Sequence, residues 1–257
     1  MSMLPKDHVY SFSQISSFDE CPYGFYLERI DKVERLNNAF AEQGSLIHDL
    51  IDQWAKGKIS AELLPQEYER RYSDEVVTAW PRMLASKGYA EKTFQQGLDY
   101  FKNFDCFEGY KIIDTEQKFR TTVGDRPFIG IIDMLLEDEE TGNLIILDHK
   151  SKSLSAFRKE EKTIYRQQYM YSKYVYEKYG RWPDVLMFNL FKEGGLKKSK
   201  PFDLEEFQKV MDWAVGVIEK IENYDLMDWL ESKENSDFFC QELCSVRSSC
   251  FNSVPAR

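Results

Sequence analysis

Apolar residues recur with a helical period in some parts of the chain and a strand period in others. Between Phe40 and Lys58 they fall on one stripe, which predicts an amphipathic helix. Helical character continues over 60–104, where breaks near Pro65, Pro81 and Gly88 predict two or three helices. Runs of branched aliphatic residues between polar turns follow. Three successive strands are therefore predicted, over 110–123, 126–137 and 143–150.

Helical and strand patterns alternate in the rest of the chain. We predict a helix over 157–179, a strand over 184–191 and a loop over "KEGGLKKSK". Asp203 and Glu206 have the spacing of a capping box, which predicts a long helix to about Glu231. At the other end, residues 11–30 read as a short helix and a further helical turn, broken at Cys21-Pro22.

This order of elements predicts a single α/β domain over residues 1–257, because no segment is long enough to link two domains. Its parts are a helical elaboration over about 60–105, a sheet with its flanking helices, and an irregular tail over about 232–257 that carries cysteines.

Composition and charge narrow the classes of protein. A hydrophobic fraction of 42% suffices for a substantial core, and no apolar run reaches the roughly 18 residues of a membrane span. The first residues, "MSMLPKDHVYSFS", have no apolar signal region, so a cytoplasmic protein without a membrane partner is expected. Residues 148–200 carry 13 Lys/Arg against 6 Asp/Glu in a chain of net charge −10. That segment is either a surface facing a polyanion or an ordinary solvated surface.

The predicted hairpin of the second and third strands places two carboxylates and an amine together. A turn centred between Glu140 and Thr141 sets Asp133 nearly opposite Asp148, and alternation along the strand points Asp148 and Lys150 the same way. Two facing carboxylates repel each other unless a cation lies between them. Mg²⁺ or Mn²⁺ would remove the conflict, and a nearby lysine suits hydrolysis of a phosphodiester. The alternative is a structural Asp–Lys pair at a strand end.

Further polar residues fall at suggestive positions. Glu116 lies on the preceding strand and adds a third carboxylate, and His48 lies beside the apolar stripe of its helix. Gln167 and Tyr171 are four residues apart, hence on one helical face. His48 also has an ordinary reading as a structural histidine, and the Gln167–Tyr171 pair as part of an amphipathic helix.

Taken in order, the motifs "YSFSQISSFDECPYGFYL", "GSLIHDL", "GIID", "LDHK" and "QQYMY" resemble the PD-(D/E)xK nuclease superfamily, in particular its RecB-like exonuclease branch. The resemblance covers most of the chain. It implies a restriction-endonuclease-like core, with a central mixed β-sheet flanked by helices and a helical insertion before the sheet. It also implies a Mg²⁺- or Mn²⁺-dependent deoxyribonuclease, in particular an exonuclease, of DNA repair, recombination or phage/CRISPR-related processing. DNA and a helicase, recombination or CRISPR protein are the implied partners.

The resemblance assigns roles to individual residues. Its metal ligands match His48, Asp133 and Asp148, with the backbone carbonyl of His149 as a further ligand. Its catalytic lysine matches Lys150, and its less firmly placed upstream acid matches Glu116. Its Gln-x-x-x-Tyr element, thought to contact DNA or support the site, matches Gln167 and Tyr171.

Some members of this branch join their chain ends with a four-cysteine iron–sulfur cluster. Cys21 matches the first ligand, and Cys240, Cys244 and Cys250 are candidates for the others. The tail reads C-x3-C-x5-C, one residue longer in its first interval than the family's C-x2-C-x5-C. A [4Fe-4S] cluster, a zinc site, a lost site and free thiols all remain open.

Two other functions compete with a nuclease. A catalytically silent DNA-binding or scaffolding module would keep the fold, but degenerate relatives often lose a residue of the set that is intact here. An unrelated α/β enzyme acting on a small phosphorylated substrate is the other alternative. No phosphate-binding glycine loop supports it.

Overall fold

A computed structural model describes residues 4–5, 7–225, 227–228 and 238–250. The chain divides into two compact units. The terminal unit combines Met1–Asn38, Arg120–Gly130 and Gln208–Arg257, and the central unit combines Ala39–Phe119 and Ile131–Phe207. The strands are β1 (Tyr10–Ser11), β2 (Tyr110–Val123), β3 (Arg126–Asp138), β4 (Leu144–Lys150), β5 (Val185–Leu190) and β6 (Leu196–Pro201). The α-helices are α1 (Phe12–Glu20), α2 (Pro22–Phe25), α3 (Ala39–Ala55), α4 (Leu64–Glu75), α5 (Arg82–Ala85), α6 (Tyr89–Lys102), α7 (Leu154–Ile164), α8 (Arg166–Tyr179) and α9 (Leu204–Asn223).

A mixed sheet forms the middle of the central unit. β3 pairs antiparallel with β4, β4 pairs parallel with β5, and β5 pairs antiparallel with β6. β2 pairs with β3 on the other side. The strongly apolar β4, buried along almost its whole length, is therefore an inner strand, as expected for a parallel pair covered on both faces.

Helices cover this sheet. Leu46 and Leu50 of α3 share one apolar cluster with Ile145 and Leu147 of β4. Gln168 of α8 donates its side-chain amide to two strand carbonyls, those of Ile146 and Met187. The predicted class, an α/β fold with a central mixed sheet flanked by helices, is confirmed.

The predicted helical elaboration consists of α4, α5 and α6. Gln43 of α3 is fully buried and donates to the hydroxyl of Tyr68 at 2.9 Å and to the carbonyl of Thr93 at 2.7 Å. One side-chain amide thus joins α3, α4 and α6. Breaking these contacts would leave a buried donor without a partner, at a cost of about 1–3 kcal/mol. Gly97 permits the close approach, since a Cβ there would lie 2.3 Å from the Tyr68 hydroxyl.

The terminal unit contains α1, α2 and most of α9, from Gln208 onward, with two π-helical turns, Tyr26–Ile30 and Phe239–Leu243. Within it, β1 pairs parallel with the start of β3, Tyr10 opposite Phe128. Tyr23, Leu27 and Val246 form a buried cluster, and the Leu36 amide donates to the Ser245 carbonyl at 2.7 Å. These contacts join the segment after α2 to the described part of the tail.

Three predicted elements differ from the structure. The "KEGGLKKSK" loop contains β6, whose lysines hid it from an apolar pattern because charged edge strands need little burial. The helix predicted over 157–179 is two helices, α7 and α8, which meet at Tyr165. The last long helix ends at Asn223, because the Asp225 carboxylate accepts from the amides of Met227 and Asp228 and begins a new turn. Residues 226 and 229–231 of that predicted span, and residues 232–237 and 251–257 of the tail, lie outside the described residues.

Across the described parts of the chain, we find no helix with the length and apolar character that crossing a membrane requires.

Candidate active site

The β3–β4 hairpin has the register that the two aspartates predict. Met134 pairs with Leu147, and the pairing continues to Glu137 opposite Leu144. Asp133 and Asp148 are the next residues beyond the Met134–Leu147 pair, at the end of the hairpin away from its turn. The amide of His149 donates to Oδ2 of Asp133 at 2.8 Å, which fixes one carboxylate against the neighbouring strand.

His48, Glu116 and Asp133 form the one compact cluster of potential metal ligands found among the described residues. Their ligand atoms all lie within 4.8 Å of one another. His48 Nδ1 is 3.6 Å from Asp133 Oδ2 and 3.8 Å from Glu116 Oε1. A helix and two strands of the central unit therefore converge on one point, with two oxygen donors and one nitrogen donor.

The other ring nitrogen of His48 is already engaged. Nε2 lies 3.1 Å from the carbonyl oxygen of His149, so Nε2 carries the proton and donates to that carbonyl. In the neutral ring, Nδ1 then has its lone pair directed toward the two carboxylates. Histidines that bind metals commonly donate their second ring nitrogen to a carbonyl in this way.

Glu116 reaches this cluster through an unusual backbone conformation. Its φ is 47°, in the left-handed region that costs a residue with a Cβ about 1–2 kcal/mol. The neighbouring Thr115 hydroxyl lies 3.0 Å from Asp52 Oδ1 and 3.2 Å from the Asp133 carbonyl. Thr115 thus anchors β2 to α3 and β3 beside the strained residue. Non-glycine residues in this region often mark functional sites.

A second group of polar side chains extends from Asp148. Lys150 Nζ lies 2.8 Å from Asp148 Oδ2 and donates to Gln167 Oε1 at 3.1 Å. Gln167 in turn donates to the Tyr171 hydroxyl at 3.2 Å. Asp148 is 5% exposed, so in the protein alone its charge is balanced by this ammonium. The structure thus groups Glu116 with His48 and Asp133, and it pairs Asp148 with Lys150.

The charged groups of the site shift one another's pKa values. Burial lowers the pKa of His48, but the carboxylates of Glu116, Asp133 and Asp148 outweigh it and raise it to about 9. Burial and the charge of Asp148 raise the pKa of Asp133 to about 7. Burial also lowers the pKa of Lys150, yet the charges of Asp148 and Asp133 raise it overall. The metal-free site therefore holds protons that a cation would displace.

Sequence reasoning missed the residues that hold His149. The ring of His149 is buried, with Nδ1 2.9 Å from Asn189 Nδ2, and the same amide donates to the Tyr100 hydroxyl at 2.9 Å. Burial keeps the ring neutral by lowering the pKa of His149 well below its ordinary value. Because His149 bonds to both Asp133 and His48 through its backbone, Asn189 and Tyr100 help fix two potential ligands. No short motif marks them.

A cavity of about 590 Å³ lies against the cluster. His48, Asp52 and Glu116 line one part of it, and Phe40 and Gly44 line another. A methyl group added at Gly44 would meet no neighbouring atom within 4 Å, so the cavity is open beside α3. Molecules larger than a metal ion thus have access to the cluster.

The cysteines lie in the terminal unit. Cys21, Cys244 and Cys250 all pack against the Tyr23–Leu27–Val246 cluster, and Cys240 is half-buried. Burial raises the pKa of the Cys21 and Cys244 thiols. Among described residues, no three of these sulfurs meet within 4.8 Å.

Fold and site together define a class of protein. The profile of the PD-(D/E)XK nuclease superfamily matches residues 9–251, and the chain belongs to that superfamily. Membership implies a nuclease that acts on DNA with a divalent cation.

One solved structure extends the comparison. The chain is similar in fold to a crystal structure from Eubacterium rectale named "Putative exonuclease", with a TM-score of 0.51 and 12% sequence identity. The match covers 98% of this chain and 90% of that one. No curated protein matches the sequence.

Proposed function

We propose that this protein is a Mg²⁺- or Mn²⁺-dependent DNA exonuclease of the RecB-like branch. The observation that carries the proposal is the convergence of His48, Glu116 and Asp133 beside the Asp148–Lys150 pair. A purely structural Asp–Lys pair would not require a histidine and two more carboxylates at the same point.

The donor set fits a hard divalent cation. His48 Nδ1 and the carboxylates of Glu116 and Asp133 would hold it, since Mg²⁺ favours oxygen and Mn²⁺ also accepts imidazole. Asp148 would join them once Lys150 moves from its carboxylate. The His149 carbonyl has a second lone pair and could bind as well as orient His48. A cation bound there would lower the pKa of water and neutralise charge on the phosphate.

The residues around Lys150 would act on the reacting phosphodiester. Its pKa is raised, so the ammonium keeps its proton and stabilises negative charge that builds up on a phosphate oxygen. In that protonated state it can also donate to the attacking water and orient it. Gln167 holds Nζ in place, and Tyr171 holds Gln167. Both would be positioning residues unless DNA displaces them.

The basic segment gives this proposal limited support. Lys152, Lys173 and Lys178 are ion-paired with Glu160, Glu177 and Asp114, and Lys197 pairs with Asp105. Their charge is therefore partly balanced within the central unit. Roles in repair, recombination or CRISPR-related processing, a helicase or similar partner and a cytoplasmic location rest on the family resemblance alone.

The proposal includes an iron–sulfur cluster on Cys21, Cys240, Cys244 and Cys250. It is supported by the shared location of Cys21, Cys244 and Cys250 against one apolar cluster. One π-helical turn follows Cys21, and another contains Cys240 and ends beside Cys244. Such turns are frequent at functional sites.

Cleavage of end-labelled linear and closed circular DNA tests the nuclease. We expect Mg²⁺ or Mn²⁺ to support digestion of the linear form from its ends, EDTA to stop it, and the closed circle to persist. Asp148→Asn keeps the side chain's shape and should abolish cleavage with an unchanged circular dichroism spectrum. Asp74→Asn, an exposed carboxylate on α4, is the matched control and should cleave normally.

Each part of the proposal would be refuted by a different result. Full activity of Asp148→Asn would overturn the site assignment, and cutting of the closed circle would indicate an endonuclease. DNA binding without cleavage under every metal condition would favour the silent module.

A further inference from the structure

An aromatic group stands at the start of α3, two helical turns from His48. The Phe40 ring contacts Trp80 and Tyr89 edge-on, with centroids 4.8 and 5.8 Å away. Lys192 Nζ lies 4.7 Å from the centre of the same ring. All four side chains are only half-buried. We name them the Phe40 platform.

The platform is continuous with the candidate active site. Phe40 borders the same cavity as His48 and Glu116, whereas Lys192 does not border it. The Lys192 ammonium therefore lies over the Phe40 ring without being one of the groups that line the cavity. Phe40, Gly44 and His48 follow at intervals of four along α3, so Phe40 is about 12 Å from His48 at ~1.5 Å per residue.

The two ends of the cavity differ in charge. Asp49, Asp52 and Glu116 line the end near His48, which suits a cation. At the Phe40 end, burial and then the charge of Lys92 lower the pKa of Lys192 to about 8. Within the described structure, neither Lys92 nor Lys192 has a carboxylate in salt-bridge range. This end therefore offers an aromatic face backed by positive charge that no acid neutralises.

A strand of DNA without its complement matches this arrangement. Its bases have free faces that stack on aromatic rings, and its phosphates are attracted to the ammonium groups. Bases within a duplex have no such free faces. At the ~3.4 Å spacing of a stacked strand, the 12 Å between Phe40 and His48 corresponds to about three nucleotides.

We propose that the Phe40 platform is a binding subsite for an unpaired nucleotide of the DNA strand, about three nucleotides from the phosphate at the catalytic cluster. Phe40 stacks on the base. Trp80, Tyr89 and Lys192 hold the ring in place, and Lys192 and Lys92 attract the strand. The inference rests on the proposed nuclease function and specifies its substrate as a single-stranded end.

An abasic scan crossed with variants of Phe40 tests the subsite. Fluorescent single-stranded oligonucleotides, each lacking one base, are bound to the full protein in EDTA, and cleavage is measured separately with Mg²⁺. In the wild type, one abasic position about three nucleotides from the cleaved bond should weaken binding about tenfold, as the loss of one stacked base does. In Phe40→Ala the intact oligonucleotide should bind about tenfold more weakly, and the abasic penalty should disappear. Phe40→Trp should restore both.

Further variants separate stacking from charge and from folding. Lys192→Met keeps an unbranched side chain of similar length, removes the charge, and should flatten the salt dependence of binding. Tyr176→Ala removes an exposed aromatic ring that does not border the cavity, and it should bind as wild type. The abasic scan of the wild type needs no variant, so it remains decisive if Phe40→Ala fails to fold.

The outcomes distinguish the subsite from the nuclease. A wild type that cleaves but shows a flat abasic scan would overturn the subsite alone, as would an abasic penalty that persists in Phe40→Ala. Duplex DNA that competes as well as single strands would also overturn it. A wild type that neither binds nor cleaves DNA would overturn the proposed nuclease, and the subsite with it.

Discussion

The catalytic cluster of the central unit and the cysteine cluster of the terminal unit place their reactive groups in opposite environments. In the first, charged groups are so close that each one stabilises another: Lys150 balances Asp148, and His48 faces Glu116 and Asp133. In the second, thiols lie against Tyr23, Leu27 and Val246, and burial holds the pKa of Cys21 and Cys244 above the ordinary value.

The difference indicates how each cluster can exist without its metal. Protons and an ammonium already balance the carboxylates, so the catalytic cluster can be ordered before a cation arrives. The cysteines persist as small apolar thiols, and only thiolates bind metal. We therefore expect catalytic metal to govern rate, and a cluster on the cysteines to govern stability.

After the complete loss expected for Asp148→Asn, the largest effect is on the cleavage rate of Lys150→Ala. Its ammonium acts mainly on charge that develops in the transition state, so its loss should slow single-turnover cleavage by about 10²- to 10³-fold. DNA affinity and iron content should stay near the wild-type values. Rapid-quench cleavage and a salt-titrated binding assay provide the two measurements.

Lys152→Ala is the matched control for that variant, because Lys152 is two residues away and paired with the exposed Glu160. It should cleave at the wild-type rate. If Lys150→Ala instead binds DNA weakly yet cuts normally at saturation, Lys150 is a phosphate contact and the proposed mechanism is wrong.

The next effect concerns the stability of the terminal unit in Cys21→Ala. Anaerobically purified wild type should be brown and contain iron and acid-labile sulfide, and the variant should lack both. Losing a ligand that binds only the folded state should lower the free energy of unfolding by about 2–3 kcal/mol. The cleavage rate constant of the folded variant should be unchanged, which would separate the two clusters experimentally.

Cys106→Ala provides the comparison, since Cys106 lies in the central unit and should leave the iron content intact. A colourless anaerobic wild type with neither iron nor zinc would reject both kinds of metal centre. The cysteines would then be packing residues only.

Much of the central unit follows from local sequence. The predicted strands over 110–123, 126–137 and 143–150 match β2, β3 and β4 to within one residue, because aliphatic runs between polar turns have few other folds available. The register of β3 with β4 also follows, since the turn fixes it. The lysine-rich β6 does not, because an edge strand is stabilised by its neighbour's backbone and not by burial.

Some residues of the candidate site can likewise be identified from the sequence, and others cannot. Residues in short motifs, such as Asp148, Lys150 and Gln167, can be named from sequence and lie together in the structure. Thr115, Asn189 and Tyr100 cannot, because their roles arise from contacts between segments far apart in the chain. The left-handed backbone at Glu116 is equally invisible, since no glycine marks it.

The smallest effect is the pH dependence of metal binding. The pKa of Asp133 is about 7 and that of His48 is about 9, so between pH 7.5 and 8.5 only His48 still holds a proton. A cation must displace that one proton to bind. Mg²⁺ affinity should therefore rise by up to about tenfold from pH 7.5 to pH 8.5. The Cys21 and Cys244 thiols, with pKa values raised above 9.0, should stay protonated and contribute nothing.

Stability of the metal-free protein should change in the opposite direction. The folded pKa of His48 lies above its ordinary 6.5, so its contribution is complete below about pH 6.5 and disappears as pH rises through about 9. Asp133 is raised above 3.8, so stability is likewise lost as pH rises through about 7. Lys192, with its pKa lowered to about 8, opposes this trend above pH 8. The effect of Lys192 is the same with and without metal, so it cancels when the stability of the metal-free protein is subtracted from that of the metal-bound protein.

The measurement compares unfolding midpoints in EDTA and in Mg²⁺ at pH 6.5, 7.5 and 8.5. The two midpoints should diverge as pH rises. In His48→Gln the difference should be flat from 7.5 to 8.5. A constant difference in the wild type would show that His48 gives up no proton to the cation.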